Sequence, residues 1–190
     1  ILAAIALGCA SPSLAGPAED FAALQADYQA WLLRESPEYA SSLGVHDYDG
    51  QLSDISLAAD DRRAADAAAL LQRLDAIPAD ALDPAGRTNR AILRRQLSET
   101  IEGNRFGQRT MLFSTYYGWH QGFAGMAESL PFSTAADYRS YLARLVQYPQ
   151  YNDTALAISQ RAVDQGYVQP CEVLGGYDRS ISGLITEDPA

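Results

Sequence analysis

The chain has 190 residues, of which 47% are apolar, 20% charged and 9% aromatic; that is enough to bury a core without disulfides or metal, and too apolar for a disordered chain. Acidic residues outnumber basic ones by 24 to 14, and the formal charge of −10 opposes binding to nucleic-acid phosphates and to anionic lipid surfaces. All 14 basic residues are Arg, which excludes Walker-A phosphate binding, Schiff-base chemistry and Ser-Lys catalysis by these residues.

Ile1 to Ala15 is apolar, carries no charge and ends in Ser13-Leu14-Ala15, small residues at the positions a signal peptidase inspects. Residues 1–16 are therefore expected to be a secretory signal, entered partway because Met and a basic region are missing. Pro12 interrupts the run well short of the ~20 apolar residues that a membrane-spanning helix needs. Ala6-Leu7-Gly8-Cys9 also has the form of a lipobox, so cleavage near Ala15 and lipidation of Cys9 both stay open. Either route exports the protein to the periplasm or anchors it in the envelope as a lipoprotein. A lipid anchor is then the one expected membrane contact.

The next elements read as helices. Phe21, Leu24, Tyr28, Trp31 and Leu32 share one face of a helix over about 18–35, opened by Pro17 and acidic residues. Pro37 starts a short helix that Gly44 can end, and His46 to Gly50 is a turn. Ser56 caps a helix that Pro78 ends, and Asp83-Pro84 opens another that runs to about Phe106, the two forming an antiparallel hairpin.

Between Gly107 and Pro131 the helical period is lost among Gly107, Gly118, Gly122 and Gly125, and this stretch is expected to be irregular, with a short strand near Met111 to Phe113. Thr134 caps the next helix with Asp137 in a capping box, its buried face formed by Tyr138, Tyr141, Leu142 and Leu145. Pro149 is expected to break it, a new helix running from about 150 to Gly166. A last helix is expected from Pro170, striped by Val173, Leu174, Tyr177, Ile181 and Leu184. The fold class is all-α, built from helical hairpins.

The sequence holds few chemical motifs. His46 and His120 are far apart and lack the one-turn spacing of a zincin pair, so no self-contained zinc site is written here. Asp47 and Asp49 fail the register of a calcium loop and are expected to satisfy turn groups. No nucleophile elbow is present. Cys171, without a base in view, reads as a small apolar helix residue. Arg87, Arg90, Arg94 and Arg95 read as a salt-bridged face with Glu99 and Glu102. The aromatic run Tyr116, Tyr117, Trp119, His120 and Phe123 is the candidate cleft lining, with core packing as the competing reading.

Several segments in order, Trp31-Leu32-Leu33-Arg34-Glu35-Ser36-Pro37-Glu38, Ser42-Leu43-Gly44, Leu71-Gln72-Arg73-Leu74, Leu130-Pro131-Phe132, Asp137-Tyr138, Leu142-Ala143-Arg144-Leu145 and Gly166 to Pro170, resemble the N-terminal part of a bacterial family called domain of unknown function 885. The resemblance implies an exported, largely helical, zincin-like metallopeptidase whose His-rich zinc motif lies downstream. Residues 17–190 would then be the helical N-terminal portion of a larger domain, cut short at the C-terminus and packing on the missing part. It also implies no catalytic, cofactor or metal residue in this chain, zinc belonging to the full-length parent and a peptide or small molecule being its substrate. The alternative is a complete helical cell-envelope binding or scaffold protein with an aromatic ligand loop at 116–123.

Overall fold

A computed structural model describes residues 16–114, 116–183 and 185. The expected signal apart from Gly16, Cys9 included, and Leu184 lie outside the described residues. Among these the chain forms seven α-helices and no strand, as the all-α reading requires. No described helix is long and apolar enough to cross a membrane.

Helices α1 (Pro17–Glu35), α3 (Leu57–Asp75) and α4 (Pro84–Gly103) make the first layer. The expected caps are in place: Ser56 Oγ accepts from the Ala59 amide at 3.1 Å and Asp83 Oδ1 from the Gly86 amide at 2.6 Å. Phe21, Leu24 and Trp31 of α1 pack against Leu70 and Leu74 of α3 and Leu93 and Leu97 of α4 in one continuous core. The arginines of α4 differ from expectation. Arg90 donates to the Ile77 carbonyl at 3.0 Å and the Leu74 carbonyl at 3.2 Å, and Arg94 pairs with Asp75 at 3.0 Å. Arg90 reaches carbonyls at the C-terminal end of α3, where the helix carries partial negative charge, and Arg94 reaches the Asp75 carboxylate there; Arg95 pairs along its own helix, with Glu99.

Glu35 ties the end of α1 to α3 through Arg62 at 2.9 Å. Partial burial pushes its carboxyl up, but hydrogen bonds and charge from Arg62 and Arg34 outweigh this and hold it below its ordinary 4.5. A depressed carboxyl contributes stability that is present above its unfolded value and is lost as pH falls through its folded value. Urea denaturation from pH 7 downward is expected to show stability falling below about pH 4.5, and Glu35→Gln is expected to make that fall shallower.

The second layer holds α2 (Pro37–Ser42), α5 (Trp119–Ser129) and α6 (Ala135–Asp164). Gly44, at φ +77°, ends α2 by letting the Val45 amide return to the Ala40 carbonyl at 2.9 Å. Thr134 and Asp137 form the expected capping box. The expected break at Pro149 does not occur, and α6 runs through it for 30 residues. Proline removes a single amide, and α6 packs inward on both sides of it through Arg144, Ala155, Ile158 and Ala162. Its cost in a helix interior is up to about 3 kcal/mol, so Pro149→Ala is expected to stabilise the chain by about 1–2 kcal/mol in urea denaturation, the remainder being offset by greater unfolded-chain freedom.

Three further expectations are corrected. The stretch 107–131 is not irregular throughout, since α5 forms within it, and the strand near Met111 to Phe113 reduces to one bridge between Phe113 and Gly118. The face of α6 carrying Tyr138, Leu142 and Leu145 is exposed. The expected helix from Pro170 is instead a 3-10 turn at Cys171–Val173 and a short α7 (Arg179–Ser182). Gly176, at φ +77°, breaks the run, and Cys171 is exposed rather than packed.

Candidate functional site

The site grows from one residue, Arg144 on α6, which is fully buried. Its Nε donates to the Gln51 carbonyl at 2.8 Å, Nη2 to Ser41 Oγ at 2.7 Å and, at longer range, to the Pro37 and Tyr48 carbonyls. Nη1 reaches Met126 Sδ at 3.3 Å. A single guanidinium thus joins α6 to α2, to the 48–51 turn and to α5, a fan of donors that only Arg supplies. Burial pulls its pKa below the ordinary value, partly offset by the charges of Glu38 and Asp49. Among the described residues no carboxylate touches it directly; Asp49 acts through Ser41, whose hydroxyl donates to Asp49 Oδ1 at 2.5 Å. Gln147, one turn on, adds a bond to the Gly50 carbonyl at 2.7 Å.

Beside this brace lies a cavity of about 430 Å³, within the size range of ligand sites. Its walls are Glu38 and Ser42 of α2, Leu52 and Ser53, the α5 residues Trp119, Phe123 and Met126, and Arg144 and Tyr151 of α6. The Glu38 carboxylate accepts the Ser53 amide at 2.9 Å on one oxygen and the Ser53 hydroxyl on the other. Trp119 Nε1 donates to Asn152 Oδ1 at 3.0 Å, which fixes the indole plane. Phe123 stacks on Tyr148 with centroids 3.9 Å apart. The Tyr151 phenol is pushed up by burial and by the nearby Glu38 and Tyr148. Gly122 and Gly125 also face the cavity, and a Cβ at either would meet no atom within 4 Å. Glycine inside a helix costs about 1 kcal/mol relative to alanine, and here it leaves bare backbone along the wall.

The aromatic run is divided among different surroundings. Trp119 and Phe123 line the cavity. Tyr116 and Tyr117 are exposed and turn away from it, Tyr116 at 93%. His120 is buried, its ring edge-on to Trp119 and Tyr177 and its Nε2 3.1 Å from Ser180 Oγ. The Ser180 hydroxyl gives its proton to the Tyr177 carbonyl at 2.6 Å, so the imidazole donates to Ser180 and does not activate it as a nucleophile would require. Gly118 is needed for this packing: a Cβ there would lie 2.6 Å from the Tyr177 hydroxyl. His46 is exposed and holds Asp49 at 2.7 Å. Asp49 therefore serves side chains, not the turn amides expected of it.

Zinc, which the resemblance implies for the parent, does not fit the described residues. Among them no three His, Cys, Asp or Glu side chains gather closely enough to hold a metal ion. Sequence reading missed Glu38, Arg144 and Tyr151 as site residues. The available signal was the spacing Arg144, Tyr148, Tyr151, Ala155, Ile158 and Ala162, an unbroken three-and-four stripe with a charge at its head.

No curated protein and no solved structure matches the chain significantly. Residues 37–190 match the family described as bacterial protein of unknown function (DUF885). That span takes in α2 through α7, including every element that walls the cavity. The chain belongs to the DUF885 family.

Proposed function

We propose that these residues are the substrate-binding helical wall of an exported, zinc-metallopeptidase-like hydrolase, and that the chemistry is carried by other residues of the parent protein. The observation that carries this reading is the braced cavity between α2, α5 and α6: it is ligand-sized and partly aromatic, and it is built from rigid helices held by a buried Arg. Both histidines are engaged elsewhere, with Asp49 and Ser180. In this reading the cavity takes a peptide segment or small molecule, the 1–16 signal exports the protein, and Cys9 is lipidated or removed in the process. No step through zinc is assigned to these residues.

A second reading, an envelope binding or scaffold protein, is favoured by the exposed Tyr116 and Tyr117, aromatic side chains of the kind enriched where partners meet. The two separate on one comparison. The gene is read past the codon for Ala190, and its whole product and this chain are assayed on capped peptides with and without chelator. The wall reading expects peptide binding without hydrolysis by this chain, and chelator-sensitive hydrolysis by a longer product. Stoichiometric zinc and hydrolysis in the 190 residues alone would overturn it, and a frame that stops at Ala190 would favour the binding module.

A further inference from the structure

We infer that the α2–α5–α6 cavity selects an organic cation on an apolar stem, such as an arginine or lysine side chain of a peptide, with Glu38 as its anchor. The inference rests on the cavity being the binding site, and adds what it selects.

The charges of the lining carry the argument. Two charged side chains line the cavity, Glu38 and Arg144. Arg144 is fully buried, and its guanidinium is engaged by the Gln51, Pro37 and Tyr48 carbonyls, the Ser41 hydroxyl and the Met126 sulfur. Two carboxylates act on the arginine charge, Glu38 at the cavity and Asp49 behind Ser41. Glu38 differs, being held by a single residue, Ser53. A carboxylate has about four lone-pair positions, so two remain for a ligand. Two carboxylates thus stand against one guanidinium, and the net charge around the cavity is negative.

The remaining wall suits the same ligand. Trp119, Phe123 and Tyr151 bring three aromatic rings to the cavity that holds the carboxylate, and ring faces attract cations while covering their hydrocarbon stems. Asn152 holds the indole and Tyr148 holds the Phe123 ring, so little side-chain freedom is lost on binding. Bare backbone at Gly122 and Gly125 leaves room for a long side chain to pass. The net charge of −10 draws cations toward the protein.

The probe set is Nα-acetylarginine amide, Nα-acetyllysine amide and the neutral, near-isosteric Nα-acetylcitrulline amide, titrated into the protein by NMR and calorimetry. The expected result is that the arginine compound binds about tenfold more tightly than the citrulline one, the ratio set by one charge-assisted hydrogen bond. Glu38→Gln keeps an acceptor for the Ser53 amide and is expected to bring that ratio close to one. Glu38→Asp, a second variant that keeps the charge, is expected to retain a cation preference. Equal binding of arginine and citrulline compounds by the wild type, or an undiminished ratio in folded Glu38→Gln, would overturn the inference while leaving the cavity as a binding site. Failure of all three compounds, together with failure of neutral capped dipeptides, would instead remove the binding-site reading itself. Gly122→Leu, which fills the cavity from α5, is expected to abolish binding of every probe.

Discussion

Arg144→Leu is expected to destabilise the chain by about 3–5 kcal/mol, the range found when a buried charge network loses its central member. Leucine fills part of the volume but offers no donor. The Gln51, Pro37 and Tyr48 carbonyls and the Ser41 hydroxyl lose their common partner; Pro37 keeps the Ser41 hydroxyl and Tyr48 the Gln51 amide, while an acceptor left unpaired costs about 1–3 kcal/mol and the ties among α2, the 48–51 turn and α6 are lost together. Water entering the adjacent cavity offsets some of that, which keeps the total below the sum. Arg144→Lys is expected to recover about 1 kcal/mol at most, because one ammonium on a flexible stem cannot serve α2, the 48–51 turn and α5 together. Urea denaturation of the three proteins measures this. A loss under about 1 kcal/mol for Arg144→Leu would mean that the second layer is not held by this residue.

Leu74→Ala is the second large effect, expected at about 3–4 kcal/mol. Leu74 is 0% exposed and lies where α3 meets α1 and α4. Its loss removes apolar burial and leaves a void that three packed helices cannot close without moving one another. The control is Ile92→Ala on α4, half exposed, where the change is expected within about 0.5 kcal/mol. Thermal or urea unfolding separates the two. Equal effects would show that the first-layer core is loosely packed.

The first layer was legible in the sequence because its rules are local. Ser56 and Asp83 each accept an amide within their own first helical turn, and such caps need no knowledge of the rest of the fold. The second layer was less legible, for reasons that are not local. A proline reads as a stop, yet α6 continues through Pro149 because tertiary packing outweighs one missing amide bond. A break at Pro149 divides the stripe from Arg144 to Ala162, and the apolar spacing of Tyr138, Leu142 and Leu145, which are exposed, then stands out in its place. The glycines of α5 hid a helix in the same way. Their role shows only when the empty space beside Gly122 and Gly125 is known.

The candidate site was half legible. Trp119 and Phe123 stood out as aromatic residues on a glycine-rich stretch, and both line the cavity. Tyr116 and Tyr117 stood out equally and lie away from it, because the turn before α5 points them outward. Glu38 and Arg144 lie on α2 and α6, far apart in the chain, and a cavity wall assembled from distant helices leaves no spacing to read. Arg144 in particular resembled any surface arginine until its five partners were in view.

The most direct test of the account is a map of where a ligand binds. Backbone amide shifts of the labelled protein are followed while capped dipeptides, neutral and basic, are added. The account predicts saturable shifts at Ser53, Gly122, Gly125 and Tyr151, which surround the cavity, and their loss in Gly122→Leu. Shifts confined to Tyr116 and Tyr117, with none at those four positions, would contradict it and move the binding surface to the exposed aromatic turn.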